Sequence, residues 1–260
     1  MQKNTGQSAS WISISVVSHL QLGLVTELLG DLDKYCAGSN FDVILTLNVD
    51  EPLPFGLDSF SYPVTVLRNP VPLGFSANHN QAFASAGGQY FCVMNPDIRI
   101  NSNPFEALCQ VLENPAVGVV APLVLGDNGD MEDSARRFPH PLWILGKALG
   151  RGAGPDYAVR DEPIFPDWVG GMCMLFARGK FEMLGGFDQR YFLYYEDVDI
   201  CGRLRLLGYE VVLCPKAKVI HHAQRSSHTS FRYLRWHLVS MMRFFLSPVY
   251  WRLRFRSWTR

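Results

Sequence analysis

A chain of 260 residues with 48% hydrophobic and 18% charged side chains can bury one sizeable core and is too apolar for an intrinsically disordered protein. Formal net charge is zero, but all 24 acids lie at or before Glu210, whereas ten of the 24 Lys and Arg fall from Val211 onward. The first 210 residues thus carry 14 bases against 24 acids and the last 50 carry a net +10, an asymmetry that marks a basic arm for an anionic partner.

Residues 11–18 alternate and then turn apolar, as a first strand does, and residues 20–35 set Leu22, Val25, Leu28, Leu29 and Leu32 at helical spacing. Further strands are expected over 41–48, 62–67, 89–94 and 117–125, with helices over 74–86 and 105–113 between them. This alternation predicts an α/β domain with a mainly parallel sheet flanked by helices. Residues 127–167, rich in Gly, Pro and charge, break the rhythm, leave room for one helix at 142–149 and read as a binding loop or lid. An apolar run over 168–176, a short helix ending at Leu184 and a turn at Gly185-Gly186 follow. A helix then runs from the acidic residues to Leu207, stopped by Gly208, and strands at 209–214 and 217–221 close the domain.

The six cysteines form no CxxC pair and no dense framework, so a reducing, cytoplasmic compartment is expected. Residues 1–10 are polar, lack the apolar stretch of a signal peptide, and are expected to be flexible. No window reaches the ~18 uninterrupted apolar residues of a membrane span, which points to a soluble or peripheral protein.

Clustered acids beside apolar surface are costly unless they bind a cation, pair with bases or move protons. Two places qualify. Asp97 ends the apolar strand 89–94 through Asn95-Pro96, at a carboxyl strand end where α/β sheets bind ligands. It can hold Mg²⁺ or Mn²⁺ on a diphosphate or cap its own turn. Glu196, Asp197 and Asp199 follow Phe192-Leu193-Tyr194-Tyr195 at a helix start. The helix dipole favours their ionised forms, which suits a general base, while Asp199 can also pair with Arg203. His221-His222, at the end of the last strand, can complete an oxygen-rich metal site, and zinc is not expected at this spacing. Gly170-Gly171 permits close backbone approach to a ligand or forms a plain turn.

As an ordered set, these segments resemble the inverting family 2 glycosyltransferases, especially their rhamnosyltransferase-like branch. The set is Asn69-Pro70, Leu73-Gly74-Phe75-Ser76-Ala77-Asn78-His79-Asn80-Gln81-Ala82-Phe83, Asn95-Pro96-Asp97, Trp168-Val169-Gly170-Gly171, Gly185-Gly186-Phe187-Asp188, the acidic packet and His221-His222. The resemblance covers residues 11–227 and implies a glycosyltransferase A-type fold and transfer of a sugar, rhamnose for this branch, from a nucleotide-diphosphate donor to a lipid-linked or polysaccharide acceptor in bacterial cell-surface glycan synthesis. Asp197 matches the catalytic base. Asn95-Pro96-Asp97 stands where the family usually has Asp-X-Asp, so Asp97, with His221, matches a ligand of Mg²⁺ or Mn²⁺. Ser18, Asn48, Asp50, Asn78, Asn95 and Asp97 match donor-contacting segments, and Gly170, Gly171, Glu196 and Asp199 are assigned to the acceptor side. The implied place is the cytoplasmic face of the inner membrane.

Residues 228–260 read as a basic amphipathic extension. Phe231, Leu234, Leu238, Met241, Met242 and Phe245 share one helical stripe that either packs on the domain or faces outward. Beyond Pro248 the pattern alternates, Trp251, Leu253 and Phe255 against Arg252, Arg254 and Arg256, which suits an anionic membrane surface. No nucleic-acid fold accompanies the tail. Two other readings stay open: a non-catalytic partner that binds donor or membrane, and a sugar-nucleotide pyrophosphorylase, although Ser18-His19-Leu20-Gln21 lacks that enzyme's Gly-rich basic loop. No GxGxxG supports a dinucleotide oxidoreductase.

Overall fold

The computed structural model describes residues 11–148, 154–222 and 231–255. The expected flexible N-terminus, the boundary at 227–228 and the basic residues beyond 255 lie outside them. Among the described residues ten strands and eight α-helices follow one another as β1 (Trp11–Ser18), α1 (Leu22–Tyr35), β2 (Asn40–Leu47), β3 (Val64–Arg68), α2 (Phe75–Ser85), β4 (Tyr90–Met94), β5 (Ile98–Arg99), α3 (Phe105–Leu112), β6 (Val117–Gly126), β7 (Ala135–Arg136), α4 (Pro141–Ala148), β8 (Trp168–Val169), β9 (Cys173–Ala177), α5 (Arg178–Met183), α6 (Glu196–Leu206), β10 (Glu210–His221), α7 (Phe231–Leu246) and α8 (Pro248–Phe255).

Eight strands form one sheet in the order β3-β2-β1-β4-β9-β6-β10-β5. β1 pairs in parallel with β2 and β4, β2 with β3, and β6 with β10, whereas β9 is antiparallel to both β4 and β6. Six strands therefore point the same way, with β9 and the short edge strand β5 reversed. The carboxyl ends of those six, and the amino end of β9, share one edge. Ser18, Asn48, Asn69, Asn95 to Asp97, Gly171 and His221 all lie at or just past strand ends on it.

Alternation along β1 divides the two faces. Ile12, Ile14 and Val16 enter a core with Leu22, Val25, Leu28, Leu29 and Leu32 of α1 and Phe105 and Leu108 of α3. On the other face Phe91, Val93, Met174 and Phe176 pack with Ala82, Phe181, Phe187, Ile200 and Leu204 from α2, α5 and α6 and the loop between the last two. Burial of these side chains at ~25 cal/mol per Å² is the main force holding the layers.

The structure corrects several expectations. The apolar run 168–176 is two strands separated by the Gly170–Met172 turn. The two expected last strands are one, β10, interrupted where its register against β6 slips between Cys214 and Lys218; Pro215, with no N–H to give, sits in that slip. Residues 248–255 form α8 rather than an alternating extended segment. Two short strands were not expected, and β7 pairs with β8 in a separate two-stranded sheet.

α7 and α8 fold back onto the domain. Tyr191, Tyr195 and Val198 pack with Phe244, Tyr250 and Leu253, and a Cβ on Gly202 of α6 would lie 2.9 Å from Val249 and 3.0 Å from Leu253. The expected stripe is thereby divided. Met241 and Phe245 turn toward the domain, while Phe231 (82% exposed), Leu234, Leu238 and Met242 remain outside with Val239, Leu246, Trp251 and Phe255.

Candidate active site

Three buried asparagines organise the β2 side of the sheet edge. Asn48 Nδ2 donates to Leu73 O (2.9 Å) and its Oδ1 accepts from Leu73 N (2.7 Å), so its amide mimics a paired backbone. Asn69 Nδ2 donates to Asn48 Oδ1 (2.9 Å) and Asn78 Oδ1 (2.6 Å), and Asn78 Nδ2 donates to Leu73 O (3.2 Å). Asn48 and Asn78 thus frame the turn into α2, with their side-chain amides bonded within the chain. Ser18 Oγ donates to Glu51 Oε1 (2.6 Å), and Asp50, largely exposed, pairs with Arg68.

The segment Gly74 to Asn80 acts as a clamp. Phe75 N donates to Phe192 O (2.8 Å), Ser76 Oγ to Tyr191 O (2.9 Å) and Asn80 Nδ2 to Phe187 O (2.8 Å), while Asn80 Oδ1 accepts from Phe187 N (2.9 Å). His79 is buried against Ser15 Oγ (2.8 Å), and burial holds its pKa down at about 3, so it is neutral. α2 therefore grips the loop that leads into the acidic packet. Glycine is required at two points: a Cβ on Gly74 would lie 2.5 Å from Phe192 O, and Gly186, at φ +73°, would press a Cβ to 2.3 Å from Asn80 Oδ1. Gly74→Ala should cost about 1–3 kcal/mol as overpacking, read as a lower thermal midpoint, with a rise or no change counting against the clamp.

The packet enters α6 through Tyr194 (φ 69°) and Tyr195 (φ 67°), two consecutive left-handed non-glycine residues. Such backbone costs roughly 1–2 kcal/mol per residue and persists only where packing over-determines it. Here Tyr195 packs against Phe244 (5.7 Å between centroids), both tyrosines meet His237, and Ser240 Oγ of α7 donates to Leu193 O (2.8 Å).

The result is a carboxylate held from two sides. Asp197 Oδ1 accepts from Val198 N (2.8 Å) and Oδ2 from Gly171 N (3.0 Å). Burial raises its pKa; the two N–H groups and the Arg136 charge oppose that rise without cancelling it. The helix dipole expected to favour ionisation is thus outweighed. Glu196 is 5% exposed, its Oε2 has no hydrogen-bond partner, and burial beside Asp197 pushes its pKa well above the carboxylate range. Asp199 is 2% exposed and bound to Arg203 (2.7 Å), whose other nitrogens donate to Leu184 O and Gly186 O (2.8 Å each), which ties α6 to the preceding turn. Gly170 N donates to Ser134 O (2.8 Å), and a Cβ on Gly171 would stand 3.7 Å from Asp197 Oδ2.

Asp97 lies in the turn between β4 and β5. Its Oδ2 is 3.3 Å from His221 Nε2, its carbonyl accepts from His222 N (2.9 Å), and its Oδ1 is buried without a hydrogen-bond partner. His221 Nδ1 is 3.0 Å from Glu132 Oε2. Asp97, then desolvation in opposition, then Glu132 set the His221 pKa, raised to about 9. An orphaned carboxylate oxygen beside an imidazole nitrogen fits Mg²⁺ or Mn²⁺. Among the described residues no three His, Cys, Asp or Glu side chains form a complete metal cage.

A short chain of bonds joins the two acids: Asp197 Oδ2 to Gly171 N, then Met172 O, next along the backbone, to Asn95 N (2.9 Å), two residues before Asp97. Glu132 and Asn69 do not stand out in the sequence as site residues, whereas Arg136, expected with Arg137 to shape acceptor choice, places its charge near Asp197. Asn69 stood in the quoted motif; Glu132 had only the acid-rich stretch 130–133 to signal it.

A six-strand parallel framework with a reversed β9, carrying its acids along the carboxyl edge, defines a glycosyltransferase A-type domain. A solved structure of GalNAc-T7 with UDP, GalNAc and Mn²⁺ shares this fold at TM-score 0.68 and 16% identity, covering 92% of this chain and 48% of that one. Residues 40–179 match the family described as glycosyl transferase family 2, and the chain belongs to it. It is 31% identical over 189 residues to the N-acetylglucosaminyl-diphospho-decaprenol L-rhamnosyltransferase of Mycobacterium tuberculosis, covering 64% of this chain and 61% of that protein. It is 28% identical over 252 residues to the rhamnosyltransferase WbbL of Escherichia coli K12, covering 90% and 92% respectively.

Proposed function

We propose that the protein transfers a sugar, rhamnose, from a nucleoside-diphosphate donor to a polyprenyl-linked or polysaccharide acceptor in cell-surface glycan synthesis, with inversion. The observation that carries this reading is the bond path from Asp197 through Gly171 and Met172 to the Asp97 turn, in a chain of this family. The M. tuberculosis relative's name supplies the sugar and the lipid-linked acceptor class.

The nucleoside lies at the carboxyl ends of β1 and β2, among Ser18, Asn48 and Asp50, with Asn78 fixing the adjoining turn and Asn95 beside the diphosphate. Asp97 and His221 would hold Mg²⁺ or Mn²⁺, which when bound neutralises charge growing on the leaving diphosphate. Asp197 accepts the proton of the acceptor hydroxyl; its raised pKa makes it a stronger base once ionised. The acceptor approaches past Gly170 and Gly171, the second of which lies against the Asp197 carboxylate and donates its N–H to it. Burial raises the pKa of Glu196, which disfavours a second negative charge beside the base, and Asp199 secures the helix that carries both.

No described helix is long and apolar enough to cross a membrane. The exposed apolar side chains of α7 and α8, beside Arg232, Arg235, Arg252 and Arg254, suit the interface of an anionic bilayer, where each base contributes ~1 kcal/mol. This reading puts the protein on the cytoplasmic face of the membrane. Vesicles containing phosphatidylglycerol should then co-sediment the protein and neutral vesicles should not, and Leu238→Glu with Met242→Glu should release it; equal binding by both proteins would remove the membrane contact.

The test of function is incubation of purified protein with dTDP-rhamnose, Mg²⁺ or Mn²⁺ and a polyprenyl-diphosphate N-acetylglucosamine acceptor. Rhamnosylated lipid is the expected product. No metal-dependent consumption of any of a panel of nucleotide sugars would favour a non-catalytic donor-binding partner instead.

A further inference from the structure

We propose that Glu132 is the positioning residue that selects which nitrogen of His221 faces the cation site, an inference that rests on the metal reading above. The backbone of His221 is fixed at both sides, paired with Ile98 of β5 and Gly126 of β6, but the imidazole retains rotation about its side-chain bonds. Glu132 removes that freedom. Its carboxylate can only accept when ionised, so the Nδ1 facing it at 3.0 Å carries the proton and Nε2 is directed at Asp97. A carboxylate behind a histidine fixes the ring and raises its basicity toward a metal.

Glu132 is itself held. Its N–H donates to Val124 O (2.9 Å) and its carbonyl accepts from Ser134 N (2.8 Å), placing it at the base of the turn after β6. That turn and His221 line a cavity of ≈ 320 Å³. The neighbouring histidine has a different acid, His222 Nδ1 standing 3.1 Å from Asp127 Oδ1. The ring that Glu132 backs is the one that stands 3.3 Å from Asp97.

The test is Mn²⁺ titration of the full-length protein with dTDP present, following free Mn²⁺ by electron paramagnetic resonance, with thermal melts of the metal-free proteins alongside. Glu132→Ala should bind Mn²⁺ about 10–100-fold more weakly. Glu132→Gln, whose amide oxygen still accepts from Nδ1–H, should stay within a few-fold of wild type. Wild-type affinity in Glu132→Ala, or a Gln variant as weak as the Ala variant, overturns the assignment of Glu132 while the metal reading stands. Absence of Mn²⁺ binding to the wild-type protein overturns the metal reading and this inference together.

Discussion

Asp197→Asn should lower sugar transfer by about 10²–10⁴-fold, the range that loss of a positioned general base produces, with donor binding retained. The amide cannot take up the acceptor's proton, and its single oxygen can satisfy only one of the two N–H groups, of Val198 and Gly171, that now meet the carboxylate. Stability should move the other way. Burial raises the folded pKa of Asp197 above its ordinary value, so the folded state favours the protonated acid. The stability this confers is present at acid pH and is lost as pH rises through the raised value. The substituted amide has no charge to bury, and thermal midpoints of the variant relative to wild type should therefore climb as pH rises from the carboxylate range to neutrality. A variant with wild-type turnover would remove Asp197 as the base; a midpoint difference independent of pH would remove the burial argument.

Asp97→Ala should lower metal-dependent transfer by about 10²–10³-fold, a loss comparable to removing one group that stabilises developing charge. It should also flatten the pH dependence of metal-free stability. His221 gains its proton partner in the folded state, which lifts its pKa from 6.5 to about 9. That contribution is full below about 6.5 and is lost as pH rises through about 9. With Asp97 gone, the larger of the two carboxylate influences on the ring disappears, and only Glu132 remains. Melting curves between pH 6 and 10 read this directly. Activity that stays metal-dependent at wild-type level would place the cation elsewhere.

Much of this site can be read in the sequence because strand ends carry it. β1 coincides with the expected 11–18, and the apolar runs that close at Asn48 and at Asn95-Pro96-Asp97 put those residues on one edge as soon as the strands are parallel. The acids of α6 are visible as an excess over what a helix cap needs. What escapes is set by distant partners. β5 and β7 are two residues each and exist through pairing with β10 and β8, so no local pattern announces them. The reversal of β9 shows only in its antiparallel pairing with β4 and β6. Ser76 and Asn80 show ordinary helical surroundings in sequence, and their roles depend on Tyr191 and Phe187, more than 100 residues away. Glu132 sits in an irregular stretch where one acid among several looks no different from its neighbours. α8 reads as extended because Trp251, Leu253 and Phe255 alternate with arginines, although only Leu253 of the three is buried, against α6.

The most direct measurement is anomalous scattering from crystals grown with Mn²⁺ and dTDP. One strong peak is expected within coordinating distance of Asp97 and His221, with the diphosphate between that peak and Asp197. A peak bound elsewhere, or a nucleotide lodged away from the carboxyl edge of the sheet, would contradict the pairing of cation and base in one cleft.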